Sequence, residues 1–264
     1  HKLVEEFMLL ANRTVAAHIG KVKQGKTPKT FVYRVHDEPN PEKLAMFSDF
    51  ISRFGYKLRT TGKKSEISSS INKLLDNVEG KREQNLVETL AIRSMAKAIY
   101  TTDNIGHYGL AFEYYTHFTS PIRRFPDLLL HTLINLYKTD EYKTMNLKEL
   151  EAEIEEMALQ SSEREREAQR AEFDANDMKG AEFLADHIGE EYQGIITDIT
   201  DRGMTVMLDN LIEGHINIAD IEPKQFFKFY KARKMLASEE EMYCLGDRIN
   251  MVLKTANKKQ KRIN

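Results

Sequence analysis

The sequence predicts an α+β chain in two parts: a mainly helical part over residues 1–187, then a five-stranded β-barrel of the OB kind over residues 188–264. Two observations carry this. Apolar residues recur at helical spacing through most of the first part, and Leu147 to Leu184 contains no proline and no glycine before Gly180. Beyond Ile188-Gly189 the pattern changes to short runs, GIITDIT, MTVML and EGHINI, divided by a DRG turn and by glycine. GDRINMVL and a closing KRI supply later strands, with FFKFYK as strand or loop between. Five short strands with such turns suit a small barrel, the last one cut short at Asn264.

Composition bounds the rest. A chain of 264 residues, 41% hydrophobic and 30% charged, can bury one large core or two smaller ones. No apolar run approaches the length of a membrane span, so no membrane partner is expected. His1 is not an initiator methionine and no signal-peptide pattern follows it, which reads as an internal piece of a longer protein. The single cysteine, Cys244, excludes an internal disulfide and a cysteine-cluster metal site, and is compatible with a reducing, cytoplasmic setting. Net charge is −2, but its distribution is uneven. Glutamates crowd Glu149 to Glu172, whereas Lys254, Lys258, Lys259, Lys261 and Arg262 crowd the end.

In chain order, Leu3, Phe7, Leu10, Ala11 and Thr14 mark the inward face of an opening helix, with Glu5 and Glu6 just off that stripe. A Gly/Lys/Thr loop from Gly20 to Lys29 leads into the alternating run FVYRVH. Asn40-Pro41 starts a helix carrying Leu44, Phe47, Ile51 and Phe54, and Gly55 stops it. Ser68–Asn77, closed by Gly80, and Glu83–Tyr100 read as two more helices. On the long helix, Leu147, Leu150, Ile154, Met157 and Ser161 form an inward stripe that Ala168, Ala171, Ala175 and Met178 continue, with Glu172 beside them.

The densest run of functional residue types lies at His107–Leu133, HYGLAFEYYTHFTSPIRRFPDLLLHTL. Ser120-Pro121 is a helix start, a hydroxyl cap followed by a fixed φ. A helix from there places Arg123, Asp127 and His131 on one face, although Pro126 must kink or restart it. A guanidinium in a first helical turn suits a phosphate oxyanion, and an Arg–Asp surface pair is the plainer reading. His107 and His131 lack a third partner at ligand spacing and are not read as a metal site.

These residues resemble the arginine-bearing motif of the RNase II/RNase R family of 3′→5′ exoribonucleases, nearest to its RNase R branch. HKLVEEFMLLANRTVAA and VHDEPNPEKL resemble further segments of that family's RNB catalytic domain, in the same order, and residues 188–264 resemble its C-terminal RNA-binding domain of the ribosomal-protein-S-one type. The resemblance implies that Arg123 contacts the scissile phosphate and that Arg124 contacts RNA backbone or has a structural role. It implies a glutamate facing the RNA path at Glu5 or Glu6, and another near the reactive RNA end at Glu172. Tyr108, Tyr115 and Phe118 stack on bases or pack around the motif. Phe125 stands where tyrosine is usual, Thr132 where arginine is common and Thr205 where an aromatic is common. Phe226, Phe227, Phe229, Tyr230 and His215 are the candidates to compensate for Thr205, with Lys254 and Lys258 drawing phosphates.

The family's chemistry implies Mg²⁺ held by clustered aspartates. Here only Asp174 and Asp177 lie close together, so the ligands are expected outside this chain. Two readings follow. The chain is the second half of the catalytic domain, plus the RNA-binding domain, of a processive exoribonuclease that hydrolyses single-stranded RNA to nucleoside 5′-monophosphates, its partner being the other half. Alternatively it is a non-catalytic RNA-binding protein on the same scaffold.

Overall fold

Proline and glycine punctuate the helical part. Pro41 opens α2 (Pro41–Ser52), and Gly55 and Gly80, at φ +82 and +73, take up left-handed backbone after α2 and α3 (Lys64–Val78). The other helices are α1 (Lys2–Gly20), α4 (Gln84–Ser94), α5 (Phe125–Lys138) and α6 (Leu147–Leu184). The computed structural model describes residues 1–22, 29–81, 83–139, 141–222, 225–231, 234–259 and 261–264. Most of the loop expected between Gly20 and Lys29 falls outside them.

The chain divides into two compact units. The first comprises residues 1–40, 61–69 and 95–167. In it β1 (Tyr33–Val35) pairs antiparallel with β2 (Ile99–Thr101), Arg34 opposite Tyr100. Its core gathers Ala16, Phe31, Val32, Val35, Tyr100, Leu130, Leu133, Ile154 and Ala158. Three expectations change here. The buried side of α1 is Asn12, Ala16 and Gly20, while Leu3, Val4, Phe7 and Leu10 are exposed, as is Thr14. The helix expected to reach Tyr100 ends at Ser94, because Ile99 and Tyr100 are β-favouring residues that pair with β1. On α6 the inward stripe runs Leu150, Ile154, Ala158, Ser162, one residue off the expected Met157 and Ser161.

The second unit comprises residues 41–60, 70–94 and 168–264. Its strands form a sheet ordered β5-β4-β3-β9, from β3 (Glu191–Thr200), β4 (Gly203–Leu208), β5 (Glu213–Asn217) and β9 (Arg248–Val252). A second sheet joins β6 (Lys228–Tyr230), β7 (Met235–Ala237) and β8 (Met242–Cys244), and β10 (Ala256–Asn257) pairs with β11 (Arg262–Ile263). Among the described residues, nine short strands in three sheets stand where five were expected. Met235–Ala237 and Met242–Cys244 were hidden because three-residue strands are too short to show alternation. Ile196, Ile199, Met204, Val206 and Leu236 fill one core, and Leu208, Leu253 and Ile263 close on Ala181 and Leu184 of α6 in another. The continued stripe does not exist: Ala168, Ala171 and Ala175 are exposed and Met178 only half-buried.

β3 carries a bulge between Ile196 and Asp198 that frees the Thr197 carbonyl, which accepts from Arg93 Nη1 at 3.1 Å. At the other end of the β3–β4 turn, Gly203 sits at φ +152, and a Cβ there would lie 2.0 Å from the Ile216 carbonyl oxygen. Neither backbone can yield without breaking the β4–β5 register. Gly203→Ala is expected to cost about 2 kcal/mol or more of stability, read as a lowered urea midpoint with an unchanged slope.

Candidate nucleic-acid interface

The stretch His107–Leu133 folds as a long irregular segment followed by α5, and its polar atoms are anchored from distant parts of the first unit. His36 Nδ1 accepts from Gly109 N–H at 2.9 Å, so its Nε2 donates to the Ala96 carbonyl at 2.8 Å. Thr116 Oγ1 donates to the Val32 carbonyl at 2.7 Å. Asn12, buried on α1, accepts from Phe118 N–H at 2.9 Å and donates to the Tyr115 hydroxyl at 3.3 Å.

α5 begins at Phe125, not at Ser120-Pro121. A helix begun at Ser120 would carry Pro126 in its interior, where the ring clashes and a donor is missing; restarting puts that proline in the first turn, where no donor is needed. Residues 121–123 form a turn in which Arg123 and Arg124 N–H reach back to the Ser120 carbonyl. Asp127, fully buried, accepts from Ser120 N–H at 2.7 Å and from Arg124 Nη2 at 2.9 Å. The expected face of Arg123, Asp127 and His131 is thus replaced. Arg124 takes the carboxylate, His131 stacks on Phe118 at 4.1 Å with rings 6° from parallel, and Arg123 stands in solvent with no partner among the described residues.

Around this turn lie residues that sequence reasoning passed over. Arg34 closes its fork on Glu165, at 2.6 and 3.0 Å, and its Cζ sits 4.6 Å over the Tyr100 ring. Tyr100 Oη lies 2.7 Å from His117 Nδ1. Burial pushes the Tyr100 phenol up to about 12. His117 is held down to about 3 by burial and then by the charges of Arg124, Arg34, His107 and Arg123; burial, His36 and Arg34 hold His107 down to about 4. The signal available for Arg34 was a cation inside the alternating run FVYRVH, and for Asn12 an amide on the same helix face as Ala16 and Gly20.

The remaining candidates divide. Tyr115 is buried, with its ring against His107, His117 and Phe112, so it packs and does not stack on bases. Tyr108 is half-buried, edge-on to His36. Glu5 and Glu6 are both exposed on α1. In the second unit, Glu172 is exposed on α6 and His215 is half-buried on β5 opposite Thr205. Phe229 packs against a core cluster of the second unit and Phe227 belongs to it, whereas Phe226 and Tyr230 are exposed. Lys254 pairs with Asp220 at 3.5 Å, and Lys258 with Glu182.

The family model described as "RNB domain" matches residues 1–140. The chain belongs to the RNB family. An S1 RNA binding domain matches residues 186–264. Curated relatives include Ribonuclease R 1 of Lactococcus lactis, 40% identical over 85% of this chain and 27% of its own length. Ribonuclease R of Thermotoga maritima is 35% identical over 97% of this chain and 36% of its own, and that of Escherichia coli 32% identical over 100% and 33%. This RNB chain therefore spans about a third of the length of the curated relatives it matches. Mycoplasma genitalium RNase R, solved in complex with ribose methylated single-stranded RNA, superposes with a TM-score of 0.86 at 29% identity, over 98% of this chain and 40% of that one. Yeast Ssd1, a pseudonuclease, shares the fold at a TM-score of 0.66 and 22% identity, over 88% of this chain and 28% of its own.

The two arginines of this RNB motif are expected to behave oppositely on substitution. Arg124→Ala strands a buried carboxylate and should cost about 3–5 kcal/mol, while Arg123→Ala should stay within about 0.5 kcal/mol, both by urea unfolding. His107 and His117 contribute to acid sensitivity. Their folded values lie below the ordinary 6.5, so the unfolded chain takes up protons first as pH falls. That stability is complete above about pH 6.5 and is lost on descending toward about 4 for His107 and 3 for His117. Unfolding free energies at about pH 7 and about pH 5 should differ by roughly 1–2 kcal/mol per histidine, and His117→Gln should shrink the difference.

Proposed function

We propose that this chain is the part of a processive 3′→5′ exoribonuclease that presents an arginine to the reacting phosphate and supplies RNA-binding surface. The whole enzyme would release nucleoside 5′-monophosphates from single-stranded RNA in the cytoplasm. Arg123 carries the reading. It is exposed and unpartnered among the described residues, on a turn whose buried Arg124–Asp127 pair fixes the backbone beneath it. A guanidinium fixed in this way can bind two phosphoryl oxygens as charge builds on them in the transition state. Arg124 is assigned the structural role. Glu172, and Glu5 or Glu6, are proposed along the RNA path.

Exposed Leu3, Val4, Phe7 and Leu10 on α1, and Ile122, Phe125 and Leu128 beside Arg123, support a second half of the catalytic domain covering apolar surface of the first unit. Mg²⁺ is the proposed cofactor of the whole enzyme, with ligands outside this chain. Among the described residues no three His, Cys, Asp or Glu side chains converge to hold a metal ion, so they do not fit such a site and no step is assigned to one here. In the second unit His215, Lys254 and Lys258 are proposed to meet RNA, with exposed Phe226 and Tyr230 in the stacking role first given to Phe229. No helix among the described residues is long and apolar enough to cross a membrane. A second reading is a non-catalytic RNA-binding protein on this scaffold.

The test is shortening of 5′-labelled single-stranded RNA by this chain with Mg²⁺ or with EDTA, beside a binding titration at two salt concentrations. Salt-sensitive binding without shortening is the expected outcome. Stepwise loss from the 3′ end would overturn the placement of the metal, and absence of binding would overturn the whole reading. In the intact enzyme Arg123→Ala should lower kcat by about 100-fold or more with affinity changed far less.

A further inference from the structure

His117 sits on the extended stretch leading into the arginine turn, its ring edge-on to Tyr100 and Tyr115 with both centroids 5.7 Å away. Its contact with Tyr100 Oη, 2.7 Å, is the only side-chain hydrogen bond of either residue among those described. The proton count fixes its direction. Were the imidazole to donate from Nδ1, the Tyr100 phenol proton would have no acceptor among the described residues. Tyr100 therefore donates, Nδ1 accepts, and the neutral ring carries its proton on Nε2.

Tyr100 is itself held in place. The Arg34 guanidinium lies over its ring, and its Nη1 and Nη2 each donate to a Glu165 oxygen. The series Glu165, Arg34, Tyr100, His117 thus ends on an Nε2–H without an acceptor among the described residues. Three arginines act on the ring, Arg124, Arg34 and Arg123; the first two are paired with Asp127 and Glu165, which leaves Arg123 as the uncompensated positive charge. A donor in that field calls for an anion.

We propose that His117 is a phosphate-binding residue, whose Nε2–H donates to a non-bridging oxygen of the RNA phosphate that Arg123 meets. This rests on the reading of Arg123 given above. A phosphodiester offers only acceptors at those oxygens, and Nε2–H is only a donor. A neutral donor also adds a contact without adding another positive charge to three nearby arginines. A ribose hydroxyl is the rival source of an acceptor oxygen.

The experiment uses the full chain, ¹⁵N-labelled at histidine and titrated with a short oligouridylate and its deoxy counterpart. The His117 Nε2 resonance should shift with both. His117→Ala should weaken both complexes by about 10-fold, one hydrogen bond to a charged group, and His117→Gln, which keeps an N–H donor, should recover most of that. A loss confined to the ribo-oligonucleotide would assign the contact to ribose and overturn the proposal, as would an unmoved resonance. Arg123→Ala separates the two levels. If it weakens binding while His117→Ala does not, the His117 assignment alone fails; if neither does, the reading of the arginine site fails with it. Where His117→Ala displaces the other histidine signals, the wild-type Nε2 shift and the Gln variant decide.

Discussion

The site depends on one buried carboxylate. Asp127 sits in the first turn of α5, where helix N–H groups favour negative charge, and is fully buried. Such a charge persists only if paired and hydrogen-bonded. Ser120 N–H and the Arg124 guanidinium both reach the Asp127 Oδ2, and in doing so they fix both ends of the turn between them, while Oδ1 has no hydrogen-bond partner among the described residues. The turn geometry then leaves Arg123 exposed, with no side-chain partner among the described residues. Two adjacent residues of one type are assigned opposite jobs by a single acid.

Much of this was legible from the chain. The motif stood out because hydroxyl, proline and paired arginines in that order have few other uses, and the change of pattern at Ile188-Gly189 marked the start of the strands. Which arginine pairs was not legible. Spacing alone matches Arg123 with Asp127 at i,i+4, and only the restart of the helix at Pro126 shifts the partner to Arg124. The α1 stripe was misjudged for a related reason. Periodicity finds the most apolar side of a helix, whereas the buried side here is Asn12, Ala16 and Gly20, small or hydrogen-bonded residues that fit close to the motif. Arg34, Tyr100, His117 and Glu165 were out of reach because they meet only through contacts between distant parts of the chain.

The glutamate crowding on α6 also has more structure than a solvated face. Glu155 gathers the hydroxyls of Thr101 and Thr102 and the N–H of Thr102, which hold its carboxyl below the usual range despite burial pulling the other way. Glu165, ten residues on, takes Arg34. Together they tie α6 to both strands of the β1–β2 ribbon. The ribbon in turn carries Tyr100, so the acids of the helix determine where the aromatic and imidazole groups beside the arginines stand.

The same view resolves the awkward net charge of −2. The lysines at the end of the chain are not a free basic tail. Lys258 joins Lys179 on Glu182, Lys261 meets Asp174, and Lys254 meets Asp220. All of these partners are exposed, and exposed pairs contribute little to stability in water. In the proposed function an RNA phosphate arriving there would compete with a side chain that is itself solvated, and would gain from releasing its own counterions. The carboxylates therefore keep the lysines ordered along α6 and the last strands without removing them from use. Near Arg123 no carboxylate is assigned that task, since Asp127 is committed to Arg124 and Glu165 to Arg34. The contrast matches the two demands of the proposed function. Binding along an RNA strand would tolerate exchange among many weak contacts, whereas a reacting phosphate would need one cation that is already free.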